Sequence, residues 1–436
     1  PEGMVESCME FLRICVAENF TDVVISIKAS NTVVMVKTVR LLVDVMEKEG
    51  MAFPLHLGVT EAGDGEDGRI KSALGIGALL SDGLGDTIRV SLSEAPEAEI
   101  PVARKLVDYV LLRQEHPYIP GLEAPEFNYL SPERRKTKAV RNIGGEHVPV
   151  VIADRMDGKT EVNPQFTPDY IYAGRALTEQ REEGVEYILD ADVWQGEAGT
   201  WPAFNHAQLP LMGECDAALK FLFIPYMAQT DEVIACLKYH PEVVIISQSN
   251  HPNRLGEHRA LVHQLMTEGL QNPVVFFQHY AEDDAENLQI KSAADMGALI
   301  FDGLCDGIFL FNQGSLSHAV VDATAFGILQ AGRTRTSKTE YISCPGCGRT
   351  LYDLEKTIAR IKAATSHLKG LKIGIMGCIV NGPGEMADAD YGYVGAGRGK
   401  ISLYKGKVCV EKNIPEEEAV ERLLEFIRTD REENQQ

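Results

Sequence analysis

The segment Ile70-Lys-Ser-Ala-Leu-Gly-Ile-Gly-Ala-Leu-Leu-Ser-Asp-Gly-Leu-Gly-Asp86 recurs as Ile290-Lys-Ser-Ala-Ala-Asp-Met-Gly-Ala-Leu-Ile-Phe-Asp-Gly-Leu-Cys-Asp306, with roughly eleven of seventeen positions identical. Self-similarity at so long a period marks a duplicated structural unit. The match extends upstream, where Asp22-Val-Val-Ile pairs with Glu242-Val-Val-Ile, and Glu49-Gly50 before Pro54 pairs with Glu268-Gly269 before Pro273. Short Val/Ile/Leu-rich runs alternate with longer helical patterns, the spacing of α/β folds. About eight such runs lie between residues 147 and 314, near Val148–Ala153, Asp169–Tyr172, Glu186–Leu189, Trp201–Asn205, Lys220–Pro225, Val243–Ser247, Val274–Gln278 and Ile308–Asn312. Eight is the strand number of a closed (β/α)8 barrel. Only three precede them, near Val23–Lys28, Leu55–Thr60 and Thr87–Leu92, and three strands cannot close a barrel. The first copy therefore reads as the C-terminal portion of a barrel whose five opening strands are missing, and the second as a complete one.

The two copies differ where the chemistry of such barrels sits, at the C-terminal ends of the strands. The first has Lys28, Glu61, Arg89 and Ser91, and the second has Gln248 (or Ser247, with a one-residue gap), Tyr280, Phe309 and Phe311. Arg89 and Ser91 are two apart on a strand and share a face. With Lys28 they look like a diphosphate-binding group, Arg supplying a bidentate fork and Lys a point charge. The plainer alternative is a solvated strand end whose cations pair with Asp86 or Glu61. Glu61 itself suits a proton donor, a hydroxyl-positioning group, or a salt-bridge partner for Lys28. Amide, phenol and phenyl groups cannot cradle a diphosphate, so the second copy reads as a spacer.

Local gathering of cations matters because the 436-residue chain carries a formal charge of −22, which argues against nucleic acid and anionic membrane as partners. No run of eighteen apolar residues occurs, no secretion leader is expected, and the nine cysteines, in no disulfide-scaffold spacing, suit a reducing compartment.

Three of those cysteines form a constellation. Cys344-Pro-Gly-Cys347 can face one metal centre across a Pro-Gly turn, and Cys378, in Gly-Cys378-Ile-Val-Asn-Gly-Pro-Gly-Glu385, adds a third thiolate from a glycine-rich loop. No cysteine at a comparable spacing completes the set, since Cys409 falls in an alternating stretch that reads as a strand. Glu385 is the natural fourth ligand, and a cluster held by three thiolates and one oxygen can open a coordination position to substrate. A zinc half-site and a solvated Glu385 remain the plainer alternatives.

The motifs Ser-Cys344-Pro-Gly-Cys347-Gly-Arg-Thr and Met-Gly-Cys378-Ile-Val-Asn-Gly-Pro-Gly-Glu385 resemble the cluster-binding motifs of the 4-hydroxy-3-methylbut-2-en-1-yl diphosphate synthase family. Val-Ile-Ser-Ile-Lys28-Ala-Ser-Asn31, Leu-Gly-Val-Thr-Glu61-Ala-Gly and Gly-Asp-Thr-Ile-Arg89-Val-Ser91-Leu are similar to that family's last barrel strands. The resemblance, to the large three-domain form, implies a [4Fe–4S] cluster on Cys344, Cys347, Cys378 and Glu385. It also implies a diphosphate site at Lys28, Arg89 and Ser91, with catalytic roles for Glu61 and Glu385. The activity implied is reductive ring opening of 2-C-methyl-D-erythritol 2,4-cyclodiphosphate in non-mevalonate isoprenoid synthesis, with ferredoxin or flavodoxin as electron donor. The setting is the cytoplasm of a bacterium, or the stroma if the chain comes from a plant.

The expected organisation is an α/β fold with the C-terminal part of a catalytic TIM barrel at 1–114, a linker at 115–145, a complete TIM-barrel-like insert at 146–332 and a small α+β iron–sulfur domain at 333–436. Turnover by these residues alone is expected to be weak, because further phosphate-binding arginines of the family lie on the missing strands. The open strand edges invite pairing into a homodimer. In the last domain, Thr339–Ser343 and Lys372–Met376 read as strands leading to the cysteines, and Leu351–Leu368 as an amphipathic helix. Lys400–Tyr404 and Lys407–Val410 read as a hairpin, Pro415–Arg428 as a closing helix and Asp430–Gln436 as a disordered tail. Two other functions fit parts of the pattern: a zinc-ribbon adaptor, and a generic iron–sulfur electron carrier.

Overall fold

A computed structural model describes residues 1–434 apart from 160, 176–180 and 351. The chain divides into two compact units, one of Pro1–Ile76, Leu84–Arg104 and Thr336–Gln436, the other of Gly77–Gly83 and Lys105–Arg335. Among the described residues no helix is long and apolar enough to cross a membrane.

The chain opens with α1 (Glu2–Ala17), α2 (Thr32–Lys48), β1 (His56–Gly58), α3 (Gly65–Ser81), β2 (Thr87–Arg89) and α4 (Glu99–Leu111). The Asn31 side chain starts α2 by accepting the Val34 N–H at 3.2 Å. Strands β1 and β2 pair in parallel, His56 opposite Thr87. The extended segment before α2 joins them through the isolated bridges Ile25–Leu55 and Ala29–Val59. The expected three-strand piece is therefore present, with its first strand reduced to bridges.

Next come β3 (Val150–Asp154), β4 (Tyr170–Gly174), β5 (Glu186–Asp190), β6 (Thr200–Asn205), α5 (Leu209–Glu214), β7 (Lys220–Pro225), α6 (Asp231–Tyr239), β8 (Val243–Gln248), α7 (Arg254–Thr267), β9 (Val274–Tyr280), α8 (Ala285–Phe301), β10 (Gly307–Asn312) and α9 (His318–Ala331). Strands β3 to β10 close into a parallel barrel, β10 pairing with β3. The duplication is visible in its hydrogen bonds. Asp86 accepts the Leu55 N–H at 2.8 Å, and its counterpart Asp306 accepts that of Val274 at 3.0 Å. The same carboxylate thus anchors the preceding strand in both copies.

The helical jacket of this barrel is incomplete. No helix occurs among the described residues of 155–169, 175–185 and 191–199. The last of these connections is too short for a helix with turns at both ends, and Gly196 and Gly199 sit at φ +84° and +75°. Val162, Val193 and Trp194 instead pack on Ile171, Tyr187 and Leu189. Inside, Tyr170, Ile188, Phe221, Ile246 and Phe309 fill the barrel.

Between β3 and α9, Arg155 and Asp322 form a pair at 2.5 Å with both side chains almost fully buried. Removing one partner leaves a buried uncompensated charge, so Asp322→Ala should cost about 3–5 kcal/mol, read as a fall in C_m at unchanged m-value. A change within 0.5 kcal/mol would show that water reaches Arg155. The stretch 115–145 carries the almost fully buried Arg135, which donates to the carbonyls of Leu270 and Asn272 at 2.6 and 3.0 Å.

The chain ends with β11 (Glu340–Ser343), α10 (Leu354–Thr365), β12 (Lys372–Met376), α11 (Gly382–Glu385), β13 (Tyr391–Gly397), β14 (Lys400–Lys405), β15 (Val408–Pro415) and α12 (Glu416–Asn434). The sheet order is β11-β12-β13-β14-β15, parallel as far as β13 and antiparallel beyond. Arg398 and Gly399 form the turn between β13 and β14, with Gly399 at φ +64°. The expected disordered tail is a correction: α12 continues through Asn434, held where Asp430 accepts the Tyr391 hydroxyl at 2.8 Å and pairs with Lys405. Leu351, expected to open the helix now seen as α10, lies outside the described residues.

Candidate active site

Two strand ends inside the first unit set the site. Ala62, just past β1, bridges Ser343 at the end of β11, and the Ser93 hydroxyl lies 2.8 Å from that of Ser343 and 3.1 Å from the Cys344 carbonyl. The loop bearing Cys344 and Cys347 is thereby tied to the strand end bearing Glu61. One cavity of ≈ 310 Å³ results, and Glu61, Arg89, Cys344, Cys347, Cys378 and Glu385 all face it.

Each thiol is placed by local chemistry. Cys344 follows β11, and its sulfur accepts the Gly377 N–H at 3.2 Å. Cys347 accepts the Arg349 N–H at 3.4 Å, while its own N–H is held by Thr350 Oγ1 at 3.2 Å. Cys378 leaves the end of β12 through Gly377, where a Cβ would lie 2.2 Å from Thr350 Oγ1 and would displace that hydroxyl from its bond to the Cys347 N–H. Glu385 ends the single turn α11. Burial pushes the Cys344 thiol up, aided by Glu385 and Glu61, although the Gly377 and Gly346 N–H groups oppose it. At Cys378 burial acts in the same direction but is outweighed by backbone N–H groups and the Arg349 guanidinium, which hold the thiol below its usual range. Hydrogen bonds aimed at sulfur are what thiolate ligands of a cluster receive.

Among the described residues no three His, Cys, Asp or Glu side chains converge tightly enough for one metal ion. Spread around a cavity of this size, three thiols and one carboxyl instead match the donor chemistry of a multi-iron cluster, whose ligands bind separate corners.

The nearby cations are as sharply placed. Lys28 Nζ donates to Ser26 Oγ at 2.8 Å and to the His56 carbonyl at 2.9 Å, and no carboxylate pairs with it among the described residues. Burial, then the Arg89 charge, draws Lys28 down to about 8. Arg89 is exposed and donates to Ser91 Oγ at 3.3 Å, while Asp86 is taken up with Leu55. The ion pairs of the plainer reading are thus not made here. Gly58 permits the approach of Lys28, since a Cβ there would meet the Arg89 carbonyl at 2.9 Å and Lys28 Cε at 3.1 Å. Lys28 and Ser91 stand beside Arg89 and do not line the cavity themselves.

Glu61 is buried at φ 49°, a left-handed conformation that a non-glycine residue holds only where its surroundings impose it. Burial pushes its carboxyl up to about 7, opposed by Thr60 and Arg89 and reinforced by Glu385. Sequence reasoning missed Arg349, Thr60 and Asn381 on the cavity wall, and His56, whose pKa burial, Lys28 and Arg89 lower. The position of Arg349, two residues past Cys347, was the available signal.

In the second copy, Phe309 is buried within 4.9–6.5 Å of the rings of Phe277, Tyr172 and Phe223, Tyr280 donates to the buried Asp295 at 2.6 Å, and Phe311 stacks on Phe277. Gln248 faces a separate cavity with Tyr172 and Phe277.

The chain is similar to known proteins along most of its length. The GcpE TIM-barrel domain family matches residues 1–104, and the GcpE protein C-terminal domain family matches 340–429. A protein of Bacteroides thetaiotaomicron named 4-hydroxy-3-methylbut-2-en-1-yl diphosphate synthase (flavodoxin) is 94% identical over 99% of this chain and 71% of its own length. Proteins of the same name from Bacteroides fragilis and Chlorobaculum tepidum are 83% and 41% identical, each over 98% of this chain and over 68% and 66% of their own lengths. Because both matched segments carry the residues that meet in the cavity, the chain belongs to the GcpE family, that of the 4-hydroxy-3-methylbut-2-en-1-yl diphosphate synthases.

Proposed function

We propose that this chain catalyses the two-electron ring opening of 2-C-methyl-D-erythritol 2,4-cyclodiphosphate to 4-hydroxy-3-methylbut-2-enyl diphosphate. The observation that carries the reading is one cavity lined by three cysteines, two glutamates and Arg89, with the uncompensated Lys28 beside it. With the product counted as its trianion, the dianionic substrate takes up two electrons and one proton and releases one water.

Cys344, Cys347, Cys378 and Glu385 are the residues that would hold a [4Fe–4S] cluster, which when bound supplies electrons singly and a Lewis-acidic iron. The chain's own residues do the rest. Arg89, Lys28 and Ser91 bind the diphosphate oxygens and fix the ring against the cysteine loops. Glu61, whose carboxyl is half protonated near neutral pH, delivers the proton to the departing oxygen. The proposed division of labour assigns 1–114 to substrate binding, 333–436 to the cluster and the closed barrel at 146–332 to a spacer reached through 115–145. Flavodoxin, which the relatives' names carry, is the proposed electron donor.

Comparing Arg89→Ala with Phe309→Ala tests the assignment of the phosphate site. Arg89→Ala should raise KM and cost roughly 2–4 kcal/mol in kcat/KM, the range for removing one partner of a charged pair. Phe309→Ala should cost about 3–5 kcal/mol of stability and leave KM nearly unchanged. If Phe309→Ala weakened substrate binding as much as Arg89→Ala, the closed barrel would belong to the active site and the spacer reading would be wrong.

A further inference from the structure

The cavity has two unlike sides. Glu61 and Cys344 are its inward wall, with Glu61 buried, while Cys347 is exposed and Cys378 opens onto solvent through the loop that follows it. On that outer side Ile379 is 47% and Val380 66% exposed, an apolar pair that nothing in the unit covers. Arg349 is exposed beside the same two cysteines. Two more cations lie at the end of β13, where Gly395 packs against the Gly377 carbonyl so tightly that a Cβ would come within 2.3 Å of it. Arg398 is three residues further along the chain, about 10 Å at strand rise. It and Lys400 are exposed, with no ion pair among the described residues. Glu416, whose N–H meets the Gly399 carbonyl at 3.1 Å, opens an acidic turn that continues in the exposed Glu417 and Glu418, while its own carboxylate lies toward Tyr352 and Tyr393. In a chain of net charge −22, Arg349, Arg398 and Lys400 give this side of the unit three exposed cations, beside an apolar pair and facing the acidic first turn of α12. Weak electron-transfer encounters use surfaces of this kind: small, with a few apolar contacts and complementary charge that steers approach.

We propose that Arg349, Ile379, Val380, Arg398 and Lys400 form the docking surface for a small acidic one-electron carrier of the flavodoxin class. This rests on the function proposed above and adds the place and polarity of the contact. Electrons enter on the Cys347–Cys378 side, and substrate occupies the Glu61–Arg89 side. Each encounter oxidises the reduced carrier by one electron and reduces the enzyme by one. Two encounters therefore supply one turnover, and carrier and substrate never compete for the same wall.

The test uses the anaerobically purified, cluster-loaded chain and purified oxidised flavodoxin, titrated by calorimetry at low and at 0.3 M salt. Wild-type binding should weaken with salt. The double variant Arg398→Glu, Lys400→Glu and the single variant Ile379→Asp should each weaken it by about tenfold or more, the double variant also flattening the salt dependence. Turnover driven by reduced methyl viologen, a reductant small enough to need no docking surface, should stay within about twofold of wild type in both. Unchanged flavodoxin affinity in the variants, or no flavodoxin binding by the wild type, would overturn the docking surface. Failure to turn over with methyl viologen by a longer protein that carries all eight strands of the first barrel would instead count against the proposed reaction, so the two ideas fail separately.

Discussion

Serine at Cys344, Cys347 or Cys378 should each strip most of the iron from anaerobically purified protein and bleach its brown colour. The exchange alters little but the donor atom: a serine hydroxyl is harder and far less acidic than a thiol, so the thiolate that holds a cluster iron is lost. Activity should fall to background with the iron. Cys409→Ser is the matched control, because Cys409 sits on β15 with its sulfur toward the Glu411 carbonyl at 3.6 Å and does not face the cavity. Its iron content should equal wild type. Full iron retention in any of the first three variants would remove that residue from the ligand set. A colourless protein with tightly held zinc would revive the adaptor reading.

Glu61→Gln should lower kcat by about 10²–10⁴-fold, the span of a positioned proton donor, and should remove a limb of the pH profile. With the wild-type carboxyl at about 7, the donor form dominates below that pH and kcat should fall as pH rises through it. Glutamine has no proton to lose, so the variant's residual rate should be flat over that range. Stability should change with pH in the same direction. The native carboxyl holds its proton more tightly than the unfolded one at 4.5, so its favourable contribution is complete below about 4.5 and is lost as pH rises through about 7. The neutral amide escapes that loss, and Glu61→Gln should melt no lower than wild type at pH 8. A variant that lost activity only because it unfolded would contradict the assignment.

Much of this was legible before any coordinates. Hydrophobic runs such as Val243-Val-Ile-Ile, buried on both faces, announce parallel barrel strands, and all eight fall within a few residues of their expected places. The repeated Asp86 and Asp306 could be aligned from letters alone, though not their shared hydrogen bond to the preceding strand. Missing helices were harder to read, because connection length and a tryptophan packed over strands carry no periodic signal. The tail misled through composition: Asp430 looks solvated in sequence, yet it is fixed by Tyr391 and Lys405 from distant strands. Arg349 and His56 were missed for a related reason. What makes them part of the site is the neighbours that long-range pairing brings to them.

That pairing has a cost in time. Ser93 meets Ser343, 250 positions further along the chain, and most of the second unit lies between them in sequence. At a synthesis rate of about 5–20 residues per second, the strand ends holding Glu61 and Arg89 must wait roughly 12–50 s for the cysteine loops to emerge. The second unit, nearly continuous in sequence, can finish folding within that interval. A newborn chain thus exposes an unpartnered half-site for roughly 12–50 s, and slowed translation between residues 105 and 335 should lengthen its exposure to aggregation and proteolysis without touching the finished fold.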